Sequence, residues 1–300
     1  MEAKIQPKQK YQYIGLAYIS PWIIGFLIFQ LYPLVASLIY SFSSYTIFKP
    51  PKFIGFENYI NIFTKDPQFL NSLIITVKYV LFAVPAKIAF ALLIALILNM
   101  NVKFINFFRT VYYLPSILGG SVAIAILWRF LFMREGIVNK ILSFLYIRPV
   151  DWLGDPGIAL YTIAILTVWQ FGSSMVIFLA GLKQIPQTLY EAAKIDGATS
   201  FQMFFHVTLP LLTPLVFFNL VMQMINAFQE FTAAFVITRG GPMKSTYLYG
   251  IMVYDHAFKY FNMGYASALA WILFAIIIAL TLLIFKSSPY WVYYEDTGGN

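Results

Sequence analysis

Asn219, Gln223, Asn226 and Glu230 recur at i, i+4, i+7 and i+11 within a stretch that is otherwise almost wholly apolar. On an α-helix that spacing puts all four on one face. A second set, Gln170, Ser173 and Ser174, shares a face beside Trp169. Amides, hydroxyls and an aromatic ring together suit a carbohydrate, whose hydroxyls need directional donors and acceptors and whose C–H face packs on rings. The same residue types also hydrogen-bond between helices inside membranes. Glu230 is open to three further readings, as the buried partner of a basic residue, as a residue near the outer surface, or as a proton-coupling carboxylate. No catalytic or metal-ligating set accompanies these residues. The chain has no cysteine, which excludes a thiol nucleophile and thiolate metal sites, and its two histidines, His206 and His256, are too few for a histidine metal centre. No G-x-x-x-x-G-K-[ST] occurs, so the chain is not expected to cradle ATP itself, and no cofactor is expected on it. Gly240-Gly241-Pro242-Met243-Lys244-Ser245-Thr246 is a decoy, because its lysine does not follow a glycine at the required spacing. Neither H-E-x-x-H nor a pair of intramembrane aspartates is present, which argues against an intramembrane protease.

The elements that must carry these residues are membrane spans. Of 300 residues, 60% are apolar and only 11% charged, against about 45–50% and about 25% in an ordinary soluble domain. Tyr11 to Phe48, Thr110 to Trp128, Pro156 to Leu182, Gly197 to Gln229 and Tyr260 to Phe285 carry no Asp, Glu, Lys or Arg. Each is long enough to supply a spanning helix, which needs roughly 17–25 apolar residues. This rules out a soluble enzyme and a disordered tail. The net charge of +8 is thinly spread, with no dense basic cluster to track phosphates, so it meets anionic lipid and not nucleic acid.

Six spans account for the apolar sequence, near 14–40, 70–98, 105–130, 158–182, 209–234 and 265–285. The first follows Lys4, Lys8 and Lys10 as a signal peptide would, but it is much longer than a signal core and is read as an uncleaved span. An all-α membrane protein is expected, because Ile88 to Leu98 and Ala275 to Phe285 are apolar on every side, unlike the alternating strands of a barrel. Between the spans lie segments with loop chemistry, Lys49-Pro50-Pro51-Lys52, Asp66-Pro67, Asp151 to Gly157 and Gly240-Gly241-Pro242. An even number of spans puts both termini on one side, but Lys and Arg divide almost evenly between the two sides. The positive-inside rule therefore leaves orientation weakly determined. Lys78 and Lys87, nine apart in the second span, point to roughly opposite sides of the helix, so at least one must snorkel or pair. Arg129 beside Trp128 reads as an interfacial anchor.

One inter-span segment looks helical rather than loop-like. Lys183 to Thr208 begins Lys183-Gln184-Ile185-Pro186 and continues Leu189-Tyr190-Glu191-Ala192-Ala193-Lys194-Ile195-Asp196-Gly197. Ala, Glu and Lys favour a helix, and Gly197 suits its end with positive φ. A second short stretch, Ser200 to Val207, reaches Leu209-Pro210, where a proline fits the first turn of the fifth span. Two short helices with a glycine elbow form a knob that a partner's groove could grip.

Glu191-Ala192-Ala193, three residues, Gly197, nine residues, then Val207-Thr208-Leu209-Pro210 resembles the EAA loop of ABC-importer membrane subunits, with Val207 in place of the usual isoleucine. Gly55-Phe56-Glu57-Asn58-Tyr59, Phe108-Arg109-Thr110 with Leu114-Pro115, Trp128-Arg129, Thr238-Arg239-Gly240-Gly241-Pro242 and Gly264-Tyr265-Ala266-Ser267-Ala268 are similar to the sugar-importing, maltose-type branch. The resemblance runs from about residue 14 to 286 and is to the smaller six-span members.

It implies a type I importer permease fold at 14–285, a cytoplasmic coupling loop at 183–210, and cytoplasmic tails at 1–13 and 286–300. Glu191, Ala192, Ala193, Asp196, Gly197, Leu209 and Pro210 would couple to a separate ATPase. Trp169, Gln170, Ser173, Asn219, Gln223, Asn226 and Glu230 are the candidates for the substrate pathway. The implied partners are a second homologous permease subunit, two ATPase subunits that hold ATP and magnesium, and an extracytoplasmic solute-binding protein that delivers a carbohydrate. The location would be a bacterial inner membrane. The rival is a self-sufficient secondary transporter with Glu230 as its coupling carboxylate, although such carriers commonly have more spans and inverted repeats.

Overall fold

The computed structural model describes residues 8–100 and 104–293. The outermost parts of both tails, Lys4 among them, and residues 101–103 lie outside the described residues. The chain divides into two compact units, one built from residues up to Lys65 with Val253–Ile272, the other from Asp66–Met252 with the residues from Leu273 onward.

In the first unit, helix Lys8–Phe26 runs through a π-helical turn, Leu27–Leu31, into helix Tyr32–Ser41. The wide turn lies just ahead of Pro33, whose ring has no N–H and crowds the carbonyl four residues back. The segment read as a loop around Pro50-Pro51 is instead an antiparallel hairpin, Ser43–Thr46 paired with Lys49–Phe53. Both prolines sit on its exposed second strand, as an edge strand allows. Asn58 is buried and its Nδ2 donates to the carbonyls of Ser41 (2.9 Å) and Ser43 (3.0 Å), while Tyr59 Oη donates to Ser41 Oγ at 2.8 Å. Those bonds explain why Glu57-Asn58-Tyr59 follows the first span. Gly264 lies so close to the Ser43 carbonyl that a β-carbon there would collide with backbone. Trp271 Nε1 donates to Ser37 Oγ at 3.1 Å, tying the start of the last span to the first.

The second unit is organised around the 33-residue helix Pro67–Asn99. Asp66 caps it by accepting from Gln68 N at 2.9 Å, and Pro67 takes the first turn, where its missing N–H costs nothing. This helix packs against Ala159–Trp169, Gly172–Gln184 and Leu209–Phe228. Ala83, Ala91, Ala95, Ala159 and Ala164 are buried there, and such small residues let helices approach closely inside a membrane. Tyr79 is fully buried and its hydroxyl meets Thr167 Oγ1 at 2.6 Å.

Four helical stretches are long and apolar enough to span, Gly15–Ser41, Pro67–Asn99, Ser200–Ile237 and Met263–Tyr290. The third and fourth spans, expected as continuous helices, are broken. Ile105–Leu118 and the segment Val122–Phe144 meet at 103°, and Ala159–Trp169 and Gly172–Gln184 meet at 47°. At about 1.5 Å per residue, the 14 residues of Ile105–Leu118 cover only about 21 Å, less than a bilayer core of about 30 Å. Gly119-Gly120 supplies the break, and Ser121 restarts the chain by accepting from Ile124 N.

The two breaks complete each other. Gln170 Nε2 donates to the Gly119 carbonyl at 2.7 Å. Ser116 Oγ donates to the Gln170 carbonyl at 3.2 Å and accepts from Ser173 N at 2.9 Å. Backbone groups freed by each interruption therefore find partners on the other, as an apolar surrounding demands. Gly172 permits the approach, since a β-carbon there would stand 2.7 Å from the Tyr112 carbonyl.

Candidate functional site

The loop between the fourth and fifth spans forms helix Gln187–Ile195, capped at its C-terminus by Asp196. Gly197 has φ +77°, Gly197 N donates to Lys194 O at 3.0 Å, and Ala198 N donates to Ala193 O at 2.9 Å. These are the two bonds of a Schellman ending, which wants a residue without a β-carbon at the left-handed position. Thr199 then opens a new helix with a capping box to Gln202. That second helix is not a separate surface element ending at Leu209-Pro210, as the sequence suggested. Ser200–Met203 passes through a π-helical turn, Phe204–Thr208, straight into Leu209–Phe228. Pro210 follows the wide turn as Pro33 does, so the proline shapes the helix instead of starting it.

Glu191, Ala192, Lys194, Ile195 and Asp196 are exposed, Ile195 to 87%. Tyr190 Oη meets Thr208 Oγ1 at 2.9 Å, fastening the exposed helix to the foot of the fifth span. Tyr190, Glu191 and Lys194 line a cavity of about 850 Å³ with Arg109, Lys183, Ile185, Leu182 and the end of the second span at Asn99 and Met100. Arg109 closes that span by donating to the Leu98 carbonyl at 3.1 Å, a favourable place for a cation.

The polar faces converge only in part. Gln170, Gln223, Asn226 and Glu230 line one cavity of about 160 Å³ together with Thr167, Ala83, Val84 and Lys87. Gln170, Asn226 and Glu230 also line an adjoining space of about 150 Å³ with Gly119, Gly120 and Ser121. The other three candidates are elsewhere. Asn219 is buried with its Nδ2 bonded to the Leu215 carbonyl of its own helix at 2.9 Å. Ser173 is exposed, and Trp169 packs against Trp128 with ring centroids 6.0 Å apart. Ser174, which shares their stretch, is buried and accepts from Gln223 Nε2 at 3.2 Å. Glu230 lies beyond the last turn of Leu209–Phe228, and its Oε1 accepts from Ala233 N at 2.9 Å at the start of helix Thr232–Ile237.

Lys87 was missed as a cavity residue. Its opposition to Lys78 was readable from the nine-residue spacing, and the structure agrees: Lys78 borders a different cavity, beside Asn71, Tyr161 and Lys244. Which of the two lysines would turn inward depended on neighbours that the sequence of one helix does not reveal.

Residues 69–289 match the family described as the binding-protein-dependent transport system inner membrane component. The chain belongs to this family. It is 52% identical to the probable ABC transporter permease protein YesP of Bacillus subtilis strain 168, over 94% of this chain and 92% of that one. It is 33% identical to the trehalose/maltose transport system permease protein MalF of Thermococcus litoralis, covering 95% of this chain and 98% of the relative. Among solved structures, a chain of a bacterial ABC transporter involved in import of the acidic polysaccharide alginate superposes with a TM-score of 0.79 at 24% identity, over 94% and 96% of the two chains. The fold is thus that of a type I ABC-importer permease, and the chain is a multi-pass membrane transport component.

Proposed function

We propose that this permease forms half of the translocation pathway of an ATP-driven carbohydrate importer. A second homologous permease completes the pathway, two ATPase subunits bind ATP and magnesium, and an extracytoplasmic binding protein delivers the sugar. The loop 183–210 and both termini are cytoplasmic in this reading. The carrying observation is the helix Gln187–Ile195, held out by a Schellman elbow with an exposed isoleucine at its end. An exposed, rigidly capped helix with an apolar tip suits a partner's cleft. Glu191, Ala192, Ala193 and Asp196 make its docking surface, Gly197 sets its elbow, and Leu209 and Pro210 carry movement into the fifth span through the π-helical turn. ATP-driven closure of the partners would shift this pathway between two arrangements, with the substrate cavity exposed to one side at a time.

The carbohydrate assignment rests on the cavity of amides, a hydroxyl and a carboxylate, and on the sugars named for the relatives. Gln170, Gln223, Asn226 and Glu230 are its substrate-facing residues. The test is to co-express the chain with the products of neighbouring genes, purify in nanodiscs, and measure ATP hydrolysis and uptake with a loaded binding protein. A four-subunit core whose hydrolysis rises with sugar-loaded binding protein supports the proposal. A chain that purifies alone and moves solute under an ion gradient without ATP overturns it.

A further inference from the structure

We infer that Lys87 is a specificity-determining residue of the pathway, its ammonium donating to one hydroxyl of a sugar's vicinal diol while Glu230 accepts from the neighbouring hydroxyl. The inference rests on the carbohydrate reading above and names what the cavity reads on the sugar.

Lys87 is only 8% exposed. It lies twelve residues from Asn99, the last residue of its helix, which is about 18 Å at 1.5 Å per residue. The side chain is far too short to snorkel to that end. Among the described residues its ammonium makes no hydrogen bond and no ion pair, and it shares the cavity of about 160 Å³ with Glu230. A space of this size holds about five waters at about 30 Å³ each. An intramembrane cation kept open to such a cavity is costly and points to a functional role.

The hydrogen-bonding inventory selects the ligand group. One amide N–H of Gln170 is committed to the Gly119 carbonyl and one of Gln223 to Ser174 Oγ, so each glutamine keeps one further donor and its acceptor oxygen. Glu230 accepts from the backbone N–H of Ala233, with Phe231 N–H also beside it, and a carboxylate's four lone-pair sites leave it further acceptor capacity. Among the described residues lining the cavity, Lys87 is the one cationic donor, with three N–H groups, and Glu230 the one carboxylate acceptor, beside amides and a hydroxyl that serve as both. A hydroxyl donates and accepts at once and satisfies both kinds of group. A carboxylate only accepts, and would meet Glu230 with like charge.

The test uses the assembled complex with saturating loaded binding protein and four probes: maltose, lactose, digalacturonate and the methyl ester of digalacturonate. The ester removes the charge and keeps the ring hydroxyls. For each probe that the wild type transports, K87M is expected to slow uptake about ten- to hundredfold, the loss of one or two charge-assisted hydrogen bonds, and K87R to retain part of the rate. Co-purification of all subunits shows that K87M assembles. The double variant K87M/E230Q should be no faster than K87M. Recovery in the double variant would mean that Lys87 only neutralises Glu230, and a penalty confined to digalacturonate would mean that it pairs with a carboxylate; either result overturns the inference. Unchanged uptake by K87M also overturns it and leaves the carbohydrate reading standing. If none of the four probes moves or stimulates hydrolysis in the wild type, the carbohydrate reading fails and this inference falls with it.

Discussion

The elbow at Gly197 allows a prediction whose size comes from backbone geometry alone. Gly197 stands at φ +77°, and a β-carbon added there would meet nothing within 4 Å. A substitution therefore costs what the left-handed backbone costs, with no collision inside the chain. For an ordinary L-residue that is roughly 1–2 kcal/mol, and a β-branched valine lies at or above the upper end. About 2 kcal/mol lowers the population of the closed elbow roughly thirtyfold relative to its open forms. Opening it breaks the bonds from Gly197 N to Lys194 O and from Ala198 N to Ala193 O. G197V should accordingly uncouple ATP hydrolysis from uptake or weaken assembly with the ATPase, with G197A intermediate. G197N should remain near wild type, because asparagine tolerates this conformation. The assay is sugar-stimulated hydrolysis and uptake of the reconstituted complex, read as sugar moved per ATP. Two results would refute the reasoning. If G197V matches wild type in both activities, the elbow does not matter; if G197N is as damaged as G197V, the partner excludes any side chain there and φ is not the cause.

Tyr190→Phe removes the 2.9 Å link to Thr208, worth about 0.5–1.5 kcal/mol; uptake per ATP should fall, and T208V should add little to Y190F in a double-mutant cycle. Gln170→Leu leaves the Gly119 carbonyl without its 2.7 Å donor, at about 1–3 kcal/mol, so detergent-solubilised protein should unfold at lower temperature. Gly119→Ala would drive its new β-carbon into the Gln170 side chain, and adding Q170A should recover part of the lost thermal stability. Asp66→Ala gives up the cap on Gln68 N and should cost about 1 kcal/mol of stability while uptake per ATP stays constant, which separates plain destabilisation from uncoupling.

The conformation of the loop between the fourth and fifth spans was legible because its determinants are local. A helix of good formers, a glycine four residues past the two alanines and a following threonine cap all act within one or two turns, and the structure reproduces the positive φ. The apolar stretches were equally plain, since length and hydropathy need no knowledge of neighbours. The hairpin after the first span was obscured by Pro50 and Pro51, which read as loop. It is built by distant bonds from Asn58, and an exposed edge strand can carry prolines.

The polar face of the fifth span shows where periodicity stops being enough. Helical spacing placed Asn219, Gln223, Asn226 and Glu230 together, but a face of eleven residues is about 16 Å long, and only its last three members reach the cavity. Asn219, one turn earlier, is closed in by packing and spends its amide on its own backbone. Glu230 reaches the cavity because the helix has already ended at Phe228. Gln170 is there because two neighbouring spans break opposite each other, and its amide closes one break while the side chain lines the cavity. A continuous third span would have offered no free carbonyl at Gly119, and the polarity of Gln170 would then need another reason. The cavity is thus made by interruptions in the spans, a property of helix pairs, which explains why the residues around it were recognisable one by one and Lys87 was not.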